Sequence, residues 1–114
     1  MPSMLRSALA PLLTIVLAAC STTWFHVGND FDLNAFTTGV NRGSTTRDQV
    51  RAWLGAPSST GVDVETDGKR YDKWNYFFAE GNMSHVSETT LKTLQIKFDS
   101  QGIVQAYEVS QPAR

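Results

Sequence analysis

The sequence predicts an α+β domain in which two short helices pack on one face of a three- or four-stranded antiparallel sheet, as a two-layer sandwich. Three observations lead there. A well-punctuated helical segment runs from Gly43 to Pro57, alternating apolar residues fill the second half of the chain, and Asp67-Gly68 and Asp99-Ser-Gln-Gly102 mark tight reversals. With 114 residues, the chain has room for one small domain at most.

The elements follow in order. Asn29 or Asp30 is placed to cap a first short helix, with Leu33, Phe36 and Val40 on one side. Thr37, Thr38 and Gly39 are weak helix formers, so that helix is expected to be short or irregular. In the second helix, Thr45 with Asp48 or Thr46 with Gln49 forms a capping box that satisfies free N–H groups of the first turn. Val50, Trp53 and Leu54 then share a face, Gly55 supplies a left-handed stop, and Pro57 prevents continuation. Beyond Gly61 the period changes to two. Val62 and Val64 lead into the Asp67-Gly68 turn, and the chain returns through Tyr71 to a strand with Trp74, Tyr76 and Phe78 on one face and Phe77 on the other. Glu80 to Thr90 is polar and reads as a loop. Leu94, Ile96 and Phe98 form the next apolar face, Gly102 allows the following turn a positive φ, and Ile103 to Val109 is the last strand. The expected domain spans residues 29–110, with a short tail at 111–114.

Composition removes several function classes. Ten Lys plus Arg face eleven Asp plus Glu, so no general affinity for polyanions follows and nucleic acid is not an expected partner. A single cysteine, Cys20, allows no internal disulfide and no metal site built from cysteines alone. No nucleophile elbow, zinc-protease helix, phosphate loop or EF-hand pattern is present, and neither His26 nor His85 sits in a recognisable catalytic motif. We therefore expect a non-enzyme without cofactor, metal or small-molecule substrate. Asp63, Glu65 and Asp67 read as a solvated strand face, and Arg47 and Arg51 as a solvated helix face. Asn82-Met-Ser84 matches the glycosylation pattern by chance.

The first residues have a different composition. Arg6 is the only charged side chain before Asp30, and Ala8 to Ala19 is a mostly apolar run of twelve residues. That is shorter than the roughly 20 residues a spanning helix needs, so residues 1–19 read as a secretory signal. Leu17-Ala18-Ala19-Cys20 closely resembles the bacterial lipobox. The resemblance implies cleavage between Ala19 and Cys20, a diacylglycerol thioether on the Cys20 sulfur and acylation of the new amine. Ser21, where an Asp would favour the inner membrane, points to the outer membrane on its periplasmic side. Residues 20–28 then form a lipidated tether. Its Trp24-Phe25-His26-Val27 either lies at headgroup level or packs on the domain, and packing is preferred because a small core needs filling.

One ordered set of residues carries a family likeness. Gly43-x-Thr45, Gln49-Val50 and Leu54-Gly55-x-Pro57 are followed by Trp74-x-Tyr76 and by Leu94-x-Ile96-x-Phe98-Asp-x-x-Gly102. Together with the lipobox, this resembles the SmpA/OmlA family of BamE-like lipoproteins. The resemblance implies two helices on a three-stranded antiparallel sheet and a binding role in the machinery that assembles outer-membrane β-barrels, with a helical-repeat lipoprotein partner and anionic lipid nearby. Ser58 to Lys73 is longer than the family pattern, enough for an extra strand. Tyr76, Phe77 and His85, on the sheet edge and in the 80s loop, are the candidate partner contacts. The alternative is an envelope inhibitor or ligand-binding module of similar fold, not associated with the assembly machinery.

Overall fold

The structure is a computed structural model and describes residues 23–111. The signal segment, the proposed cleavage position at Ala19, the lipidation position at Cys20 and the last three residues lie outside the described residues. In chain order the elements are β1 (Trp24–Val27), α1 (Leu33–Gly39), α2 (Arg47–Leu54), β2 (Ser59–Val64), β3 (Arg70–Asn82), β4 (His85–Phe98) and β5 (Val104–Ser110). The class is α+β, as expected, with an antiparallel sheet of five strands instead of three or four.

Of the two short strands, β2 carries the alternating Val62 and Val64 expected of a hairpin arm, whereas β1 comes from a segment with no periodic pattern. The Ser58–Lys73 stretch does supply an extra strand, β2. The tether supplies β1, a strand of four residues whose consecutive apolar and aromatic side chains show no alternation. Sheet order is β1-β3-β4-β5, and β2 also pairs with β3. β1 takes residues 79–82 of β3 and β2 takes residues 70–75, so the two short strands lie end to end along the same edge. Residues 80–90, read as a loop from their polarity, instead continue the ladder. Asn82 pairs with His85 and the reversal is only Met83-Ser84, with a register shift between Glu80 and Asn82. Thr90, paired with Glu80, is β-branched and suits an exposed pleated surface, and cross-strand pairing outweighs its polarity.

The helices form where the sequence places them, with local adjustments. α1 is capped by Asp32, whose carboxylate accepts from the Ala35 N–H at 3.0 Å, instead of by Asn29 or Asp30. Asp30 is held elsewhere, as shown below. Val40 is already extended and ends the helix. In α2 the capping box is Thr46 with Gln49. The Thr46 Oγ1 accepts from the Gln49 N–H at 3.2 Å, and the Thr46 N–H donates back to the Gln49 side chain at 2.9 Å. Asp48 in the first turn and Arg51 in the last complement the helix dipole. Gly55 ends the helix at φ +82°, and its N–H donates to the Arg51 carbonyl at 2.8 Å.

Alternation then decides what becomes core. Trp74, Tyr76 and Phe78 of β3 and Leu94, Ile96 and Phe98 of β4 are all buried on one sheet face. Against them pack Phe31, Leu33 and Phe36 from α1 and its approach, Val50 and Leu54 from α2, and Val104 from β5, with Trp53 and Val40 at the margin. The Phe36 ring meets Trp53 edge-on at 6.4 Å and Tyr107 at 5.1 Å, and Trp74 meets Phe98 at 5.0 Å. The other face of the sheet has neither helix against it. Asp99 closes the last turn, accepting from the Gly102 N–H on its carbonyl and from the Gln101 and Ile103 N–H groups on its side chain.

Candidate functional site

The candidate contacts divide between the two faces because consecutive strand residues point oppositely. Tyr76 is 2 % exposed and its ring packs on Phe31 at 5.5 Å. Its hydroxyl donates to the Gly55 carbonyl at 2.8 Å, tying β3 to the end of α2. Burial pushes the phenol up to about 12, so the hydroxyl stays a neutral donor. Tyr76 is thus a core residue that anchors a helix end, and its ring is unavailable to a partner. Phe77 faces the uncovered side of the sheet and is 37 % exposed.

Around Phe77 the register gathers an apolar surface. Val27 pairs with Ala79, Ala79 with Leu91, and Phe77 with Thr93, all on the uncovered face. Val27 is exposed, Leu91 is half-buried, and Ala79 forms the floor. Phe77 also lies where β1 has ended and β2 has not begun, a gap that leaves one stretch of β3 edge to be closed by other means. The Phe77 N–H donates to the Ser58 Oγ at 3.0 Å. Gly28, at φ +81°, passes so close that a Cβ there would stand 2.3 Å from the Phe77 carbonyl oxygen. A concavity beside Phe77 is lined by Asn75, Thr93, Gln95, Glu108 and Ser110, a polar rim to the apolar surface.

His85 is elsewhere. It opens β4 opposite Asn82, five residues beyond Phe77 along β3, which is about 17 Å at strand rise. It is exposed, and the structure does not bring it together with Phe77. His26 of β1 faces Glu80 with Nδ1 3.5 Å from the carboxylate and sets its ring edge-on to Phe78 at 5.3 Å. Among the described residues there is no group of three or more His, Cys, Asp or Glu side chains placed to hold a metal ion.

The charges that looked solvated in the sequence are largely engaged within the fold. Arg47 lies over the Phe98 ring at 5.5 Å and reaches Asp72 at 3.4 Å, while Arg51 lies over Trp74 at 5.6 Å. On the uncovered face, Lys97 sits between Asp63 at 3.3 Å and Glu65 at 3.0 Å, with Tyr71 beneath it. Glu65 foremost, with Asp63, holds the Lys97 ammonium above the usual lysine range. Lys92, on the covered side, binds the Asp30 carboxylate at 2.5 Å and the Phe31 carbonyl at 2.7 Å, and it lies over the Phe31 and Phe78 rings. This hydrogen bond from Lys92 lowers the Asp30 carboxyl below its ordinary value and explains why Asp30 caps no helix.

At the far tip of the β3–β4 hairpin lies a group that the sequence reading missed. Trp24 is 67 % exposed, Met83 59 % and Val86 63 %. They converge because Trp24 pairs with Asn82 and the Met83 N–H donates to the Thr23 carbonyl at 2.9 Å. Only the pairing of β1 with β3, between residues nearly sixty apart, brings them to one end, and no local pattern records it. No helix among the described residues is long and apolar enough to cross a membrane. No protein-family model matches the chain and no curated protein matches it, so the SmpA/OmlA likeness rests on the residues that carry it.

Proposed function

We propose that the protein is an outer-membrane lipoprotein, held on the periplasmic side by acylated Cys20, that acts as a non-catalytic binding factor in outer-membrane protein assembly and envelope integrity. The carrying observation is Leu17-Ala18-Ala19-Cys20 at the end of a short apolar run. Each buried CH₂ of a lipid chain contributes about 0.8 kcal/mol of membrane affinity, so diacylglycerol plus an N-acyl chain makes attachment effectively permanent. The ordered set from Gly43 to Gly102 supports a role like that of the SmpA/OmlA family. The uncovered sheet face around Phe77 supports binding: an apolar centre with a polar rim is what a protein-protein contact uses.

Two measurements test this reading. Cys20→Ser should leave an unprocessed or mislocalised precursor; a correctly anchored mature Cys20→Ser protein would overturn the anchor. Affinity purification of the lipidated protein from envelopes in mild detergent, with a photocrosslinker at Phe77, should recover β-barrel assembly subunits. Recovery of none would overturn the assembly role, and one stoichiometric enzyme complex without those subunits would favour the inhibitor reading instead.

A further inference from the structure

The distance from the anchor to the fold is short. Thr23 is hydrogen-bonded to Met83, and it stands three residues after Cys20. A fully extended chain covers at most about 3.6 Å per residue, so the lipidated cysteine lies within about 11 Å of Thr23. Whatever path residues 20–23 take, the β1 end of the sheet and the tip of the β3–β4 hairpin are held against the bilayer surface.

That end differs in chemistry from the opposite one. Trp24, Met83 and Val86 are each more than half exposed there, and Gly81 to Thr89 carries one acidic side chain, Glu88, and no lysine or arginine. The opposite end also exposes Val64, but there it is surrounded by Glu65, Asp67, Lys69, Arg70 and Asp99 on the two turns. The thirteen residues of β3 separate the ends by about 40 Å. Large apolar side chains left open at an end that cannot leave the membrane surface have an available apolar phase beside them, and a Trp ring is suited to the headgroup boundary.

We propose that this tip docks into the interface of the bilayer, with Trp24, Met83 and Val86 inserted, so that the sheet stands on the membrane with its charged turns pointing away. The inference rests on lipidation of Cys20 proposed above. The occupant is the lipid itself. Contact is apolar and does not need anionic headgroups, because the tip offers no basic cluster. Exposed Trp24 thereby acts as part of a docking surface that adds orientation to the attachment made by the acyl chains.

The test uses the lipidated chain in phosphatidylcholine vesicles containing doxyl-labelled phospholipid. The Trp24 emission is isolated by subtracting the Trp24→Phe variant, which leaves Trp53 and Trp74 in place. We expect a blue shift and loss of that emission, unaffected by added salt. A fluorophore on Val86→Cys, the one free thiol when Cys20 is acylated, should be quenched likewise, and one on Asp67→Cys should stay in water. Trp24 and position 86 left unquenched on bound protein would overturn the docking alone, as would equal quenching at position 67. The mass of the same preparation reads the anchor separately: a mature chain without acyl groups would overturn the lipoprotein reading, and the inference with it.

Discussion

Replacing Thr45 by Val removes one oxygen while leaving the volume of the side chain nearly unchanged. Thr45 is buried where the loop before α2 meets β5. Its Oγ1 accepts from the Asn41 N–H at 2.7 Å, while its own N–H donates to the Asn41 carbonyl at 2.9 Å and its carbonyl accepts from the Val104 N–H at 2.9 Å. The two backbone bonds survive the substitution, and no cavity opens. What is lost is the acceptor for Asn41, whose N–H is left partly buried without its partner. Such a loss costs about 2 kcal/mol, and the added methyl returns somewhat less than 1 kcal/mol, for a net cost of about 1 kcal/mol. With an m-value of about 1 kcal/mol/M for a domain of this size, the urea midpoint should fall by about 1 M with m unchanged. Amide exchange at Asn41 should accelerate in Thr45→Val and remain slow in Thr45→Ser, which keeps the oxygen. A Thr45→Val protein with the wild-type midpoint and a protected Asn41 amide would refute the assignment.

Three further outcomes are expected. Phe36→Ala empties a fully buried site between Trp53 and Tyr107 and should cost about 3–5 kcal/mol in urea unfolding. Gly28→Ala places a Cβ 2.3 Å from the Phe77 carbonyl at a φ of +81°, so β1 should detach before the rest unfolds, read as faster amide exchange at Trp24 to Val27 than in β4. Tyr76 has its phenol raised to about 12, so folding favours the protonated form; the contribution is intact below the unfolded value near about 10 and is lost as pH rises through about 12. Alkaline titration of stability should show that decline in the wild type and lack it in Tyr76→Phe, which should also lose about 1 kcal/mol at neutral pH with the bond to Gly55.

Legibility in the sequence followed the range of the interaction. The capping box at Thr46 and Gln49, the stop at Gly55, the buried face of Trp74, Tyr76 and Phe78, and the turn at Asp99 to Gly102 are set by residues within a few positions of one another. All stand as read. Asp30 caps no helix because its competing partner, Lys92, is sixty-two residues away and forms an ion pair that no local capping rule includes. β1 was missed for the same reason: four residues are too few to show a period, and their state is decided by Ala79 to Asn82. Tyr76 is a candidate contact only by its place beside Phe77 on the sheet edge. Its parity in the strand, the same as Trp74 and Phe78, already marks it as inward, and Phe77 carries the outward position. The hairpin tip was obscured because polarity was weighed above β-branching across Glu80 to Thr90.

The division of the sheet into a covered and an uncovered face bears on how a lipid-anchored binding factor would work. In the proposed reading, a partner approaching Phe77 meets a surface whose position relative to the membrane is set by hydrogen-bonded strands. β1 begins four residues after Cys20 and pairs with residues 79–82, and Phe77 lies two residues farther along the same strand. The Ser58 hydroxyl and the close pass of Gly28 secure that stretch of β3 edge, and Lys92 fastens the following chain at Asp30 and Phe31. A flexible linker would leave the binding face free to rotate, and ordering it on association would cost entropy. Here most of that ordering is built into the fold. A short tether joined directly to an edge strand therefore serves a binding protein better than a long one: it limits the orientations a membrane-bound partner must search and raises the fraction of encounters in which the uncovered face is presented.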